Sequence, residues 1–169
     1  MIWIGTTPTT NEKQINLPHP YRFCKLYISD KFKQILFTPF GQLENGMHAE
    51  VNNIIVDTWP CKFEDLQTNI EETLRRFSSN AVYIEGKWPS FDSSKAKSQR
   101  SFETDYIPFR LETDLTRNYG ELEVERIKVS VQPTVLDNTF SLNGCGHLFE
   151  TKVAQIVLDI FEACLKIRN

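Results

Sequence analysis

No stretch of this chain approaches the roughly 18 consecutive apolar residues that a membrane-spanning helix needs. The opening segment Met1-Ile2-Trp3-Ile4-Gly5 is too short for the apolar core of a secretory signal and has no basic residues before it. Bases are short relative to acids: 19 Lys and Arg stand against 22 Asp and Glu, a formal charge of −3. That balance excludes the clustered cations on which nucleic-acid binding depends, and it disfavours an anionic membrane surface for the same reason. Cysteine is little used, and Cys24, Cys61, Cys145 and Cys164 lie far apart, with no CxxC spacing for a zinc site or redox couple. With no export signal, the expectation is reduced thiols in a cytoplasmic protein. A P-loop, a dinucleotide-binding fingerprint, HExxH and GxSxG are all missing, and no internal repeat appears. No catalytic set, cofactor or metal site is therefore expected.

What is present is an ordinary globular composition, 40% hydrophobic and 24% charged over 169 residues, with twelve Phe, five Tyr and three Trp to fill a core. A chain of this length buries roughly 70% of the surface its unfolded form exposes and folds without a staple. One domain, residues 1–169, is expected.

Residues 6–20, punctuated by Pro8, Pro18 and Pro20, read as loop. Phe23 to Ile28 and Lys33 to Phe37 read as strands, and Asn45-Gly46 as a turn needing positive φ. Val51 to Trp59 reads as a third strand, closed by Pro60, so that the three form an antiparallel meander. Phe63, Leu66, Ile70, Leu74 and Phe77 recur at three and four, the stripe of an amphipathic helix over 63–77. Glu64 and Asp65 early and Arg75 and Arg76 late complement its dipole. Ala81 to Glu85 reads as a short strand and the Ser- and Lys-rich residues 92–101 as a mobile loop. Strand-like runs follow at Phe102 to Leu111 and Glu121 to Val131, separated by an Asn118-Tyr119-Gly120 turn, and a long helix closes the chain over 148–167. Strands outnumber helices without alternating with them, so the expected class is α+β, a mainly antiparallel sheet packed by the two helices.

Charge is unevenly placed. From Glu103 to Glu125 seven acids face two bases, Arg110 and Arg117, a local charge of −5 in a chain whose total is −3. In a regular strand Glu121, Glu123 and Glu125 share one face and repel one another, an arrangement that a basic partner would relieve. A solvated strand face explains the acids equally well. The apolar positions change phase within this run: Leu122 and Val124 are even, Ile127, Val129 and Val131 odd. A strand with one buried face does not change phase, so either a bulge near Arg126 or a first half that leaves the main sheet is expected.

Gly144-Cys145-Gly146-His147 precedes the last helix, and a thiol at a helix N-terminus with a nearby His is the one plausible nucleophile. A plain turn explains the glycines equally well. His19 and His48 are placed in loops, and Trp88, in Gly86 to Phe91, is a candidate aromatic anchor or a cap on the core.

In its acidic run, its Gly86 to Phe91 segment and its lack of catalytic motifs, the chain resembles the immunity proteins of bacterial toxin–immunity systems, including contact-dependent growth inhibition. The resemblance implies a small cytoplasmic α+β inhibitor that binds one basic toxin domain, often a nuclease. The expected partner-binding residues are Glu112, Asp114, Glu121, Glu123, Glu125 and Trp88, with no nucleic acid, membrane, metal or cofactor involved. A cysteine-dependent enzyme using Cys145 and a scaffold or oligomerisation module are the rival readings.

Overall fold

The computed structural model describes residues 21–118, 121–131, 142–147 and 153–168, over 114–126 and 142–147 as backbone. The expected loop at 6–20, residues 119–120 of the expected turn and residues 148–152 of the expected last helix lie outside it. In chain order the elements are β1 (Tyr21–Ser29), β2 (Gln34–Gln42), β3 (His48–Glu50), β4 (Ile55–Thr58), α1 (Phe63–Arg75), α2 (Pro89–Asp92), α3 (Gln99–Asp105), β5 (Ile107–Asn118), β6 (Glu121–Val131), β7 (Leu142–His147) and α4 (Val153–Arg168). The strands form one sheet in the order β3-β2-β1-β5-β6-β7, with β4 also on β2, and every ladder is antiparallel. The fold is α+β, as the unalternating strands and helices imply.

Period two decides which face each residue of β1 serves. Cys24, Leu26 and Ile28 join Ile35, Phe37, Phe109, Leu111, Ile127 and Val129 in the main core, which α1 and α4 cover with Leu66, Ile70, Leu74, Val157 and Phe161. Trp59 meets Phe161 edge-on at 4.8 Å, and Gln67 of α1 accepts a hydrogen bond from the Ala154 N–H (2.9 Å), tying the two helices together. The opposite face carries a second cluster of Tyr27, Leu36, Phe102 and Tyr106, roofed by α2, α3 and their flanks.

Three local expectations change. Of the expected third strand at 51–59 only β4 forms; β3 precedes that range, and Asn53, with a φ of 73°, lies between the two, whereas Gly46 (φ 81°) makes the expected turn. Helix α1 stops at Arg75, so Phe77 leaves the helical stripe and packs instead near Phe23 and His48. Residues 92–101 and the start of the next run are not a mobile loop and strand. Their serines bond locally, Ser93 to the Pro89 carbonyl, Ser94 to that of Phe91, and Ser98 as the cap that accepts from the Ser101 N–H, and Phe102 is buried in α3. Ser, because its hydroxyl competes for backbone partners, is as suited to caps as to loops.

The β5–β6 register runs unbroken from Phe109↔Val131 through Asp114↔Arg126 to Thr116↔Val124, so there is no bulge at Arg126; the irregularity lies between Thr116 and Asn118. The other expectation, a first half that leaves the main sheet, turns on the residues that precede Tyr21 and follow His147, which lie outside the described residues. The described ladder of β1 with β5 ends at Tyr21 opposite Asp114, and that of β7 with β6 at His147 opposite Arg126. Beyond that level, among the described residues, 115–118 and 121–125 pair with each other alone.

Gly41 is required by close approach. A Cβ there would stand 2.4 Å from the Ala81 Cβ and 3.0 Å from the Ser78 carbonyl oxygen. Gly41→Ala should therefore push the 78–81 segment off β2 and cost about 1–3 kcal/mol, read as a lower midpoint in urea unfolding.

Candidate functional site

The short strand β3 brings Glu50 across β2 from Phe40 and under α2. Its Oε1 accepts from the Tyr27 hydroxyl (2.9 Å), the Ser90 hydroxyl (2.8 Å) and the Trp88 indole N–H (3.3 Å), and its Oε2 accepts from the Ser90 backbone N–H (2.9 Å). Three of these donors converge on Oε1 and one meets Oε2. Glu50 is thus a clamp joining β1, β3 and α2. Burial, and then the Glu50 charge, raise the Tyr27 phenol well above its ordinary value, so the hydroxyl keeps its proton to donate.

Beside this clamp opens a pocket of about 830 Å³. Its floor is the second face of the sheet, with Lys25, Tyr27 and Phe40; its walls are the β2–β3 turn with Met47, and the segment from Ser78 to Ile84. The walls are apolar and open to solvent: Met47 is 61% exposed, Val82 80%, Tyr83 60% and Ile84 47%. Residues 81–85, expected as a strand, form no ladder. The segment is fastened at its start, where Gln42 N–H donates to the Ser78 carbonyl (2.7 Å) and Ala81 N–H to the Gln42 carbonyl (2.9 Å). Lys25 extends over the Phe40 ring (5.3 Å), and burial lowers its ammonium's pKa, with Arg110 adding to the effect and Glu50 opposing it.

The expected site residues do not come together. Trp88 caps the second cluster, half-buried against Phe102 (5.2 Å) and Phe91 (5.9 Å), with its N–H committed to Glu50. It shares Glu50 with Tyr27, which pairs with Pro108, six residues along β5 from Asp114, or roughly 20 Å of strand. Glu112 ion-pairs with Arg110, and the register sets Lys128 opposite it and Arg126 opposite Asp114. Glu125 lies opposite Leu115, and Glu121 opposite Asn118.

Gly144-Cys145-Gly146-His147 belongs to strand β7, where Cys145 pairs with Lys128 and His147 with Arg126; residues 148–152, before the described start of α4 at Val153, lie outside the described residues. Among the other thiols, burial raises Cys24 far above its usual value and, with Asp57 adding charge, pushes Cys61 up to about 11. His48 is in β3 rather than a loop, edge-on to Phe23 at 4.8 Å; His19 lies outside the described residues. Among the described residues no three His, Cys, Asp or Glu side chains converge on a possible metal position, and no helix is long and apolar enough to cross a membrane.

Sequence reasoning missed Lys25, Glu50 and the Met47 and Val82 to Ile84 walls. Two signals were available: a lysine in the middle of an apolar strand, and an apolar triplet between polar turns.

No protein-family model and no curated protein matches the chain. Among solved structures it is similar to a protein of unknown function from Neisseria meningitidis, at 10% identity and a TM-score of 0.52 over 78% of this chain and 87% of that one. At that identity the likeness is one of fold.

Two expectations follow. Glu50→Ala strands four donors on three buried or half-buried residues and should cost about 2–4 kcal/mol in urea unfolding. Cys24 and Cys61 should react with a thiol reagent at neutral pH at least about tenfold more slowly than an ordinary thiol, followed by mass spectrometry.

Proposed function

We propose that this chain is a cytoplasmic binding protein of the immunity kind, which neutralises a cognate basic toxin domain by sitting one-to-one over its active site. The observation that carries this reading is the β5–β6 ribbon beyond Asp114 and Arg126. There the register sets Asn118 opposite Glu121 and Leu115 opposite Glu125, with no base across from either. Over residues 115–125 three acids, Glu121, Glu123 and Glu125, meet one base, Arg117. Glu112 and Asp114, by contrast, face Lys128 and Arg126, so they form the compensated root of the ribbon.

A nuclease cleft is cationic because it must hold phosphates. An anionic ribbon competes for the same cations, speeds encounter through its field and blocks substrate by occupancy, with no chemistry performed by this chain. The ribbon carries the electrostatic contact, and Trp88, whose indole is committed to Glu50, serves the fold.

The test begins with capture of the partner from the native source by the tagged chain, washed at low and high salt. Association kinetics then compare the natural chain with Glu121→Lys, Glu123→Lys and Glu125→Lys combined. The triple reversal should slow association roughly tenfold or more at low salt, the difference shrinking as salt rises. Unchanged rate and affinity would remove the ribbon from the interface. A bait that captures nothing would count against the inhibitor reading itself.

A further inference from the structure

The pocket beside Glu50 has chemistry that the acidic ribbon does not use. Of its charged lining groups, Glu50 already accepts four hydrogen bonds from Tyr27, Trp88 and Ser90, whereas Lys25, among the described residues, has no hydrogen-bond acceptor or ion-pair partner and rests on the Phe40 ring. Arg110, the nearby cation on β5, is occupied by Glu112. Directly across β1 and β2 from Lys25 stands Thr38, fully buried, with a hydroxyl that finds no partner among the described residues. The sheet face beneath the pocket therefore holds two donors without acceptors. A second cation, Lys87, stands exposed at the rim. Around them the walls are apolar, and the 830 Å³ volume falls in the range of small-molecule sites.

We propose that this pocket binds an organic carboxylate with an apolar body, the carboxylate paired with the Lys25 ammonium and the body lying against Phe40, Met47, Val82 and Ile84. The polarity of the free groups selects the ligand. A cation would meet the Lys25 ammonium and a Glu50 already bonded to four donors, and a neutral apolar molecule would leave the ammonium half-desolvated and unpaired. A carboxylate supplies the missing acceptor, and the exposed Met47, Val82 and Ile84 side chains gain a cover. Burial holds the Lys25 pKa down, so an anion beside it would favour the charged form. The site stands apart from the ribbon, and either assignment can fail without the other.

Titration calorimetry on the full chain, with octanoate as probe and 1-octanol as its neutral match, tests the assignment. Octanoate should bind saturably and more tightly than octanol. Lys25→Met should weaken octanoate by roughly tenfold or more while leaving octanol within about twofold. The exposed pair Val82→Ser and Ile84→Ser, which leaves the core untouched, should weaken both ligands together. Octanoate that does not saturate in the millimolar range, equal affinity for the two probes on the natural chain, or a Lys25→Met protein that binds octanoate as before would each overturn it. A serine pair that binds both probes unchanged would remove the apolar walls from the site.

Discussion

The structure depends on β1 and β2 being buried on both faces. Cys24, Leu26, Ile28, Ile35 and Phe37 look into the helical core, while Phe23, Tyr27, Leu36 and Phe40 look the other way, and all are at most 6% exposed. A sheet with two apolar faces needs two covers. The long helices α1 and α4 supply one, with a continuous stripe of Leu, Ile and Val. The second face has no long helix, and short pieces must do the work: α2, α3, the β2–β3 turn and the 78–84 segment.

Short pieces bury little apolar area each, so the second cover is held largely by polar bonds. Glu50 is the hub, drawing Tyr27 from the sheet and Trp88 and Ser90 from the α2 region onto one carboxylate. Gln34 plays a similar part further along, accepting through its Oε1 from both the Tyr106 hydroxyl and the Lys95 N–H. Where these hubs stop, the cover stops, and the pocket is what remains uncovered. Lys25 is tolerated in a buried strand because its ammonium reaches that opening and its stem lies along Phe40.

Much of the fold was legible because hydrophobic spacing is a local signal. The stripe Leu66, Ile70, Leu74 and the wide face of α4 give their helices away, and Cys24, Leu26 and Ile28 mark β1. The phase change after Glu125 does not mark a bulge, because the β5–β6 register runs through Arg126 unbroken. What could not be read depends on distant partners. The serines of 92–101 look like loop until the Phe102 and Tyr106 rings are placed beneath the sheet, and Val82 to Ile84 looks like a strand until it is seen to have no ladder. The pocket draws Lys25, Glu50 and Val82 from three separate segments, and no spacing in the sequence relates them.

The fastening of the 78–84 segment has a consequence for how the chain tolerates change. Its attachments to β2 run through main-chain atoms, Ser78 N–H to the Phe40 carbonyl, Gln42 N–H to the Ser78 carbonyl and Ala81 N–H to the Gln42 carbonyl. Those bonds are indifferent to side-chain identity, and they need only Gly41 to stay small. Residues 82–84 thus hang from an invariant anchorage while their own side chains face solvent. Mutation can rewrite the lining of the pocket at those positions with little effect on folding, so descendants of this chain could acquire new binding preferences while keeping the same architecture.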